Sequence, residues 1–382
     1  MEQCNKKREN IAYLVIFSYL CRHIANTKHI TTMKILVIRF RQMGDAILTT
    51  VVLNSLKKSF PGCSIDFVLN DKICPLFEGH PSIDRLIPFT EEERHNFFRY
   101  IKKVYHIVHS THYDVIIDMR STMNTMLFAQ LSPSTRYRIG IKKGYTKLAF
   151  NCFVPRSRAD QSMIDHNLDM LKPLEKEGKL ALDDHFTLHI TPAEQDAYDQ
   201  YLKAQGIELN KPILLAGVTA KLDYKTWNEG RMTWTLQQFI QKYPDVQVIF
   251  NYAPGKEKEN AYRIYEQLGK PKQVRIQVEA KSQRELVALA NRVTMYFGNE
   301  DGGRHIVHAC GKPSFVIVAP TTNKTTWLPQ NDVPTDGIAV TDIGGRSQEQ
   351  LESLDRQQKY DLITQEEVWK RWSRFIEQHQ IF

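Results

Sequence analysis

The chain has 382 residues, which is enough for two domains that each bury a full hydrophobic core. Apolar residues make up 42% of it and charged residues 25%, as in an ordinary soluble globular protein. The six cysteines are scattered and form no C-x-x-C pair, which argues against a disulfide framework or a zinc site and favours a reducing, cytoplasmic setting.

The net charge of +8 is concentrated in the first half of the chain. Residues 34–150 carry seventeen Lys and Arg against ten Asp and Glu, whereas residues 151–382 carry twenty-nine against thirty-one. This distribution indicates that the first half meets something anionic, which by charge alone is a nucleic acid, a membrane surface or a phosphorylated acceptor. A basic face that only keeps the protein soluble explains the charge equally well.

Residues 1–32 are predicted to be an extension that precedes the folded domains. A basic cluster at 6–8 stands before an apolar run at 11–21, as at the start of a signal peptide. The run has 11 residues, whereas a helix needs roughly 20 to cross a bilayer, and no clear A-x-A cleavage site follows. We therefore expect the folded part to begin at Met33, with a membrane-surface anchor as the alternative.

Strand and helix patterns alternate regularly after Met33. Strands are predicted at 35–38, 64–69 and 115–118, and helices at 46–59 and 97–110. Such alternation predicts a parallel sheet covered by helices, in which ligands bind beyond the carboxyl ends of the strands. Asp45 lies in the first such loop and is placed for chemistry, although a residue just before a helix is also a candidate N-cap.

A change of character between residues 180 and 212 predicts a domain junction, with an extended stretch, Thr191-Pro192 and a charged helix at 193–206. A second alternating set follows, with strands predicted at 213–217, 246–250, 274–276, 293–297, 314–318 and 338–340 and helices at 233–243, 257–268, 283–290 and 304–309. The amphipathic pattern at 364–380 predicts a C-terminal helix. The predicted domains are 33–190 and 191–363, followed by the terminal segment 364–382.

The stretch from Met295 to Pro320 is the most informative part of the second half. It is predicted to form a strand end, a turn containing Gly302-Gly303, a short helix and another strand. A helix that begins just after two glycines presents free backbone N–H groups, which bind phosphate, and Asp301 beside it can accept hydrogen bonds from hydroxyl groups. The alternative is a tight strand-to-helix connection in which Asp301 is only the N-cap.

Two further loops at strand ends carry groups that suit a phosphorylated ligand. Thr219 and Lys225 follow the first strand of the second half, and Glu257 follows the next strand, where its carboxylate could accept hydrogen bonds from a ribose. Each loop alone is equally well explained as solvated surface, with Glu257 as an acidic residue at a helix N-terminus. Three such loops on one sheet edge together favour a nucleotide or sugar-phosphate ligand.

Several of these stretches resemble glycosyltransferase family 9, the bacterial ADP-heptose:lipopolysaccharide heptosyltransferases. The resemblance rests on Lys34-Ile-Leu-Val-Ile-Arg-Phe-Arg-Gln-Met-Gly-Asp45, the loop at 219–227, Gly255-Lys-Glu257 and Gly298-Asn-Glu-Asp-Gly-Gly-Arg-His305. It covers residues from about Met33 to about 329. It implies an α/β GT-B fold, with two Rossmann-like domains whose parallel sheets face a central cleft, and a C-terminal helix that packs back toward the first domain.

The resemblance also implies roles for individual residues. Asp45 matches the general base, and the matches to donor-binding positions are Thr219, Lys225, Glu257, Asp301, Gly302 and Gly303. Two departures concern the donor turn: Gly302 stands where the family usually has Ser or Thr, and Arg304 adds a bulky cation that would meet the diphosphate or exclude part of the usual donor. Arg120 and Arg138 are the candidates for binding an anionic acceptor, or are simply surface charges.

The expected reaction is a single inverting displacement, in which a nucleoside-diphosphate sugar, with ADP-heptose as the first candidate, donates to a lipopolysaccharide-core or similar anionic glycolipid. The second half has no D-x-D motif at a strand end, so we expect no obligatory metal and no cofactor. We also expect a monomer with no nucleic-acid partner, cytoplasmic or peripheral at the cytoplasmic face of the inner membrane. The alternatives are another nucleotide-sugar donor or a non-catalytic nucleotide-sugar-binding protein, whereas a nicotinamide dehydrogenase would need the G-x-G-x-x-G that Arg41-Gln-Met-Gly44 lacks.

Overall fold

The structure of the protein is a computed structural model that describes residues 32–345 and 347–382. The predicted extension therefore lies outside the described residues, except for its last residue. Within the described ranges, no helix combines the length and the apolar composition needed to cross a membrane.

The first half of the chain forms a sheet of six parallel strands. The strands are β1 (Lys34–Ile38), β2 (Ser64–Asn70), β3 (Arg85–Phe89), β4 (Val115–Asp118), β5 (Tyr137–Ile141) and β6 (Cys152–Val154). Their order across the sheet is β3-β2-β1-β4-β5-β6. The three strands predicted from the sequence are the central ones, whose residues are almost all buried, and the three missed strands lie toward the sheet edges.

The helices of this half are α1 (Met43–Ser59), α2 (Glu91–His95), α3 (Phe97–Ser110), α4 (Met126–Gln130) and α5 (Met163–Asp169). Helix α1 begins three residues before its predicted start, so Asp45 lies in its first turn and is not the N-cap. Residues 46–56 of α1 are all buried. A helix buried on every side must lie between two layers of the molecule, and α1 separates the first sheet from the second half of the chain.

The second half forms a parallel sheet with the same order of strands. Its strands are β7 (Ile213–Gly217), β8 (Gln247–Phe250), β9 (Met295–Asn299), β10 (Ser314–Ile317) and β11 (Thr335–Ile338), in the order β11-β10-β9-β7-β8. The strand predicted at 274–276 is reduced to one bridge between Val274 and Val248 of β8. That bridge occupies the place that β3 has in the first sheet.

Helices cover both faces of the second sheet. They are α6 (Pro192–Ala204), α7 (Glu229–Lys242), α8 (Lys256–Gln267), α9 (Gln283–Arg292), α10 (Gly302–Ala309), α11 (Lys324–Trp327), α12 (Gln348–Glu352), α13 (Arg356–Leu362) and α14 (Gln365–Gln378). One continuous apolar core joins the two halves, because it contains residues of the first sheet and α1 together with Ile306 and Val307 of α10 and Leu215 of β7. The two sheets are thus held against each other through α1 and α10.

The C-terminal helix α14 covers the second sheet. Its Trp372 ring stacks on Phe297 of β9 with 3.6 Å between ring centroids and on Phe239 of α7 at 4.8 Å. The prediction that this helix packs back toward the first domain does not describe the structure, because the apolar face of α14 is used to bury the outer face of the second sheet.

The order of strands marks one position at the carboxyl edge of each sheet. In the first sheet, the strands that follow β1 in sequence are added first on one side of it and then, from β4 onward, on the other side. The same change of side occurs between β7 and β9 in the second sheet. In open parallel sheets, ligands bind in the crevice at this point. Arg120, Thr219 and Asp301 lie in the loops after β4, β7 and β9, and Asp45 lies in the first turn of the helix after β1, so the topology selects the same segments as the motifs do.

Candidate active site

Asp45 is held at the reversal point of the first sheet by a buried arginine. Arg39, the first residue after β1, donates from Nη2 to Asp45 Oδ1 over 2.6 Å and from Nη1 to the carbonyl of Met119, after β4, over 2.9 Å. The Asp45 side chain is 21% exposed, whereas that of Arg39 is 8% exposed. A cation inside the protein therefore fixes a carboxylate that still reaches solvent.

Arg120, which was a candidate for binding the acceptor, belongs to the same cluster. Burial, and then the positive charges of Arg41 and Arg39, lower the pKa of Arg120, while Asp45 and Asp118 act in the opposite direction. Arg41 has a left-handed backbone with φ of 84°, which is uncommon for a non-glycine residue. Such strain is found at functional sites, and the cluster presents two partly accessible cations beside Asp45.

Arg138 lies outside this cluster. It is the second residue of β5, opposite Ile116 of β4, and so belongs to the amino end of its strand. Its guanidinium donates to the backbone carbonyls of Ala149, over 3.1 Å, and Thr135, over 3.3 Å. The structure therefore does not place Arg138 with the predicted acceptor site, because its hydrogen bonds tie together the loops at the opposite edge of the sheet.

Asp301 is the N-cap of α10. Its Oδ1 accepts hydrogen bonds from the backbone N–H of Arg304, over 3.2 Å, and from the hydroxyl of Tyr296, over 3.1 Å. Burial raises the pKa of Asp301 to about 6, although the backbone N–H of Gly303 also approaches the carboxyl and acts to lower the pKa. No side chain among the described residues donates to Oδ2. The predicted capping role is thus present, and the second oxygen remains for a ligand hydroxyl.

The first turns of α1 and α10 face each other across the boundary between the two halves. A Cβ added at Gly44 would lie 2.9 Å from Cδ2 of His305, so only glycine allows this approach. A Cβ at Gly302 would collide with the Met43 side chain. Asp45 and Asp301 are each next to one of these contacts, so they lie on the two sides of the boundary between the halves, which is called the crevice below.

Glu300 organises the charges on the second side of the crevice. Its carboxylate is buried, accepts from Nζ of Lys225 over 2.8 Å, and lies 3.6 Å from His305 Nε2 and 3.8 Å from Arg304 Nη2. Burial alone would raise the pKa of Glu300, but the neighbouring His305, Arg304 and Lys225 outweigh it and hold the pKa at about 2. Lys225 lies at the exposed end of this network.

Arg304 does not face the crevice. Its side chain is 0% exposed, and Nη2 donates to the carbonyl of Trp327 over 2.8 Å. The predicted contact with the donor is therefore not made from this conformation, because the guanidinium is drawn inward toward Glu300. His305 is also buried, and burial together with the charge of Arg304 lowers its pKa to about 4, so it is neutral near pH 7.

The two remaining donor loops meet at the carboxyl edge of the second sheet. Thr219 Oγ1, after β7, donates to Glu257 Oε2 in the first turn of α8 over 3.2 Å. A Cβ added at Gly303 would lie 2.6 Å from Nδ2 of Asn251, which follows β8. The loops after β7, β8 and β9 therefore converge on the N-terminus of α10.

Sequence reasoning missed two residues of this site, Arg39 and Glu300. Both stand inside the quoted motifs without an assigned role, and both are charged residues that directly follow a buried strand. A charged residue at the end of a buried strand is either exposed to solvent or paired with an opposite charge, and the sequence does not show which residue would be its partner. A signal was available, because a charge that a buried strand carries to its end needs a counter-ion.

One cluster with the spacing of metal ligands occurs elsewhere in the described ranges. Asp183, Asp184 and His185 lie at the junction between the two halves, and His185 Nε2 is 2.6 Å from Asp332. This cluster is not part of the crevice between α1 and α10.

Comparison with known proteins agrees with this architecture. A sequence profile of glycosyltransferase family 9 (heptosyltransferase) matches residues 101–359. The chain is 23% identical over 299 residues to lipopolysaccharide heptosyltransferase 1 of Campylobacter coli, a match that covers 76% of this chain and 84% of the relative.

Solved structures share the fold at low identity. A family 9 glycosyltransferase from Veillonella parvula DSM 2008 has a TM-score of 0.76 and 18% identity, with 91% of this chain and 98% of the other covered. An E. coli heptosyltransferase solved with ADP-2-deoxy-2-fluoro heptose has a TM-score of 0.64 and 15% identity, with coverage of 91% and 100%. The predicted GT-B fold is confirmed, and the chain belongs to glycosyltransferase family 9.

Proposed function

We propose that this protein transfers a heptose or a related sugar from a nucleoside-diphosphate donor, with ADP-heptose as the first candidate, to a lipopolysaccharide core or a similar anionic glycan. One observation carries the proposal: Asp45 and Asp301 lie beside the two facing helix ends of one crevice, one on each half of the molecule. The names of the relatives, lipopolysaccharide heptosyltransferases, and the ADP-sugar analogue in the E. coli structure support the substrate classes.

The reaction proposed is a single displacement with inversion. Asp45 removes the proton from the acceptor hydroxyl as that oxygen forms a bond to the anomeric carbon of the donor. The bond between the anomeric carbon and the phosphate oxygen breaks at the same time, and the electron pair leaves with the nucleoside diphosphate. Arg39 keeps Asp45 in place without blocking Oδ2, since its hydrogen bond is to Oδ1.

The negative charge that develops on the leaving diphosphate is stabilised by the second half. Lys225 supplies a partly exposed cation at the edge of the Glu300 network, and the N-terminus of α10 supplies backbone N–H groups at Gly302 and Gly303. Asp301 Oδ2 accepts from a hydroxyl of the donor sugar. Thr219 and Glu257 bind the nucleotide, with Glu257 accepting from the ribose hydroxyls.

The acceptor is bound by the first half in this proposal. Arg120 and Arg41 attract its anionic groups to the side of the crevice that carries Asp45. We further propose that the enzyme is a monomer that needs no metal and no cofactor and binds no nucleic acid. It acts at the cytoplasmic face of the inner membrane. The uneven charge of the chain supports an anionic acceptor surface.

The experiment is a measurement of nucleoside-diphosphate release from a panel of nucleotide sugars, with and without a lipopolysaccharide-core acceptor. We expect release that depends on the acceptor and is fastest with ADP-heptose, unchanged by a metal chelator. Release of nucleoside diphosphate from a different nucleotide sugar only would show that the donor is that sugar and not ADP-heptose. Tight binding of a donor without any turnover would overturn the proposal in favour of a non-catalytic nucleotide-sugar-binding protein.

A further inference from the structure

Three neighbouring loops of the first half expose large apolar side chains to solvent. Phe98, at the start of α3, is 82% exposed; Met123, after β4, is 65% exposed; and Leu148, after β5, is 92% exposed. Single exposed apolar residues are ordinary on a protein surface, but a group of them marks an interaction site.

The three loops form one continuous surface. Tyr100 of α3 donates from its hydroxyl to the carbonyl of Asn124, beside Met123, over 3.0 Å. Lys143 and Tyr145 donate to the carbonyl of Ser121, over 3.0 and 3.2 Å. We call this surface the apolar rim and define it by its exposed residues, which are Phe97, Phe98, Met123, Tyr145 and Leu148.

The apolar rim stands on a rigid base. The residues directly beneath it belong to one buried cluster, which includes Tyr100, Met126, Phe128 and Phe150. Because the core below is already complete, the rim side chains are not needed to fill it. The rim side chains are therefore available to a partner.

The charge around the rim is positive. Lys102, one helical turn after Phe98, and Lys142 and Lys147, which flank Tyr145, are exposed and have no acidic partner among the described residues. The acidic residues closest in sequence to the start of α3 are 91–93 of α2, and each is paired with a cation: Lys72, Arg99 or Lys103. An apolar surface ringed by unpaired lysines complements an anionic lipid surface, where the apolar tips enter the interface and the lysines meet the headgroups.

We infer that the apolar rim docks this protein onto an anionic membrane. The rim borders the acceptor side of the crevice, since Lys143 Nζ also donates to the carbonyl of Arg120 over 2.7 Å. Docking there brings the membrane surface next to Arg120 and Asp45, so a lipid-anchored acceptor reaches the base without leaving the bilayer. The link to the acceptor rests on the proposed function, whereas membrane binding does not.

The test uses the full chain and co-sedimentation with vesicles. We expect binding to vesicles containing phosphatidylglycerol, much weaker binding to pure phosphatidylcholine, and loss of binding at high salt. The double variants Phe98→Asp/Leu148→Asp and Lys142→Glu/Lys147→Glu should each bind at least tenfold more weakly. Leu182→Asp, at another exposed leucine (55%), and Lys272→Glu, at another exposed lysine, are the matched controls and should bind like the wild type.

Three results would overturn the inference: wild-type binding by both double variants, equal binding to neutral vesicles, or no vesicle binding by the wild type, which would make the rim a protein contact. Turnover measurements distinguish failure of the membrane-docking inference from failure of the proposed function. On a water-soluble, delipidated acceptor, Phe98→Asp/Leu148→Asp should turn over at the wild-type rate, while on a vesicle-borne acceptor it should lose at least tenfold. If the wild type binds vesicles but turns over neither acceptor, only the proposed function fails.

Discussion

Arg39 Nη2 lies 2.6 Å from Asp45 Oδ1, and the same guanidinium reaches the Met119 carbonyl. One buried side chain thus connects the carboxyl ends of β1 and β4 and fixes the carboxylate between them. The fork of the guanidinium is what allows two partners at once, because an ammonium group cannot hold both acceptors in this fixed geometry.

We expect Arg39→Lys to lower kcat by about tenfold and Arg39→Gln by more, with little change in the KM for the donor, because the donor is bound by the other half. Steady-state kinetics with the donor and acceptor varied separately will measure this. Equal losses in donor KM and kcat would contradict a positioning role. Thermal unfolding of both variants controls for damage to the fold.

Asp45→Asn should reduce turnover by about 100-fold or more, because the amide cannot accept the proton of the acceptor hydroxyl. The amide is nearly the same size, so unfolding and donor affinity should stay close to those of the wild type. Calorimetric titration with the nucleoside diphosphate and single-turnover kinetics measure the two properties. Turnover near the wild-type rate would remove Asp45 from the role of base.

Gly44→Ala should be destabilising although alanine is the better helix former by about 1 kcal/mol. Its Cβ would lie 2.9 Å from His305, so α1 and α10 must separate, at a cost of about 1–3 kcal/mol. We also expect a clear loss of kcat, since the two sides of the crevice move apart. Gly344→Ala, where an added Cβ meets nothing within 4 Å, is the control for unfolding and kinetics. A Gly44→Ala protein with wild-type stability would show that the approach of α1 and α10 is looser than described.

Lys225→Ala should weaken binding of the nucleoside diphosphate by about tenfold or more and make the affinity less sensitive to salt, because one charge-assisted contact to phosphate is lost. Lys221→Ala, in the same loop, is the matched control, because Lys221 is exposed and has no ion pair among the described residues. Titration calorimetry at two ionic strengths measures both effects. Equal behaviour of the two variants would mean that general positive charge, and not Lys225, attracts the ligand.

The raised pKa of Asp301 predicts a specific pH dependence of stability. Its pKa is about 6 in the folded state against 3.8 as the ordinary value, so between these values the folded state binds more protons than the unfolded state. The Asp301 contribution to the free energy of unfolding therefore falls as the pH rises from about 4 to about 6.

Asp301→Asn keeps an oxygen that can cap α10 and does not titrate. The difference in free energy of unfolding, variant minus wild type, should therefore increase over this pH window, on the order of 1 kcal/mol because the residue is partly exposed. Urea denaturation at several pH values measures it. A difference that is constant with pH would place Asp301 in a solvated environment.

The alternation of strands and helices, and the segments that carry the chemistry, could be predicted from the amino-acid pattern alone. Buried central strands are runs of apolar residues, and a periodic pattern predicts such elements wherever burial is continuous. Strands β3 and β6 were missed because β3 contains exposed residues and Pro88 and β6 has only three residues, so neither makes such a run.

Which of these residues contact one another became visible only in the folded chain. Lys225 and Glu300 are 75 positions apart, and they form an ion pair because strand order brings the loops after β7 and β9 together. The same topology leaves Arg138 at the opposite edge of the first sheet. Packing directs the Arg304 side chain into the interior and places α14 against the second sheet. Local sequence patterns indicate which residues are buried. Contacts between residues far apart in sequence depend on the order in which the chain connects its strands, and no local pattern encodes this order.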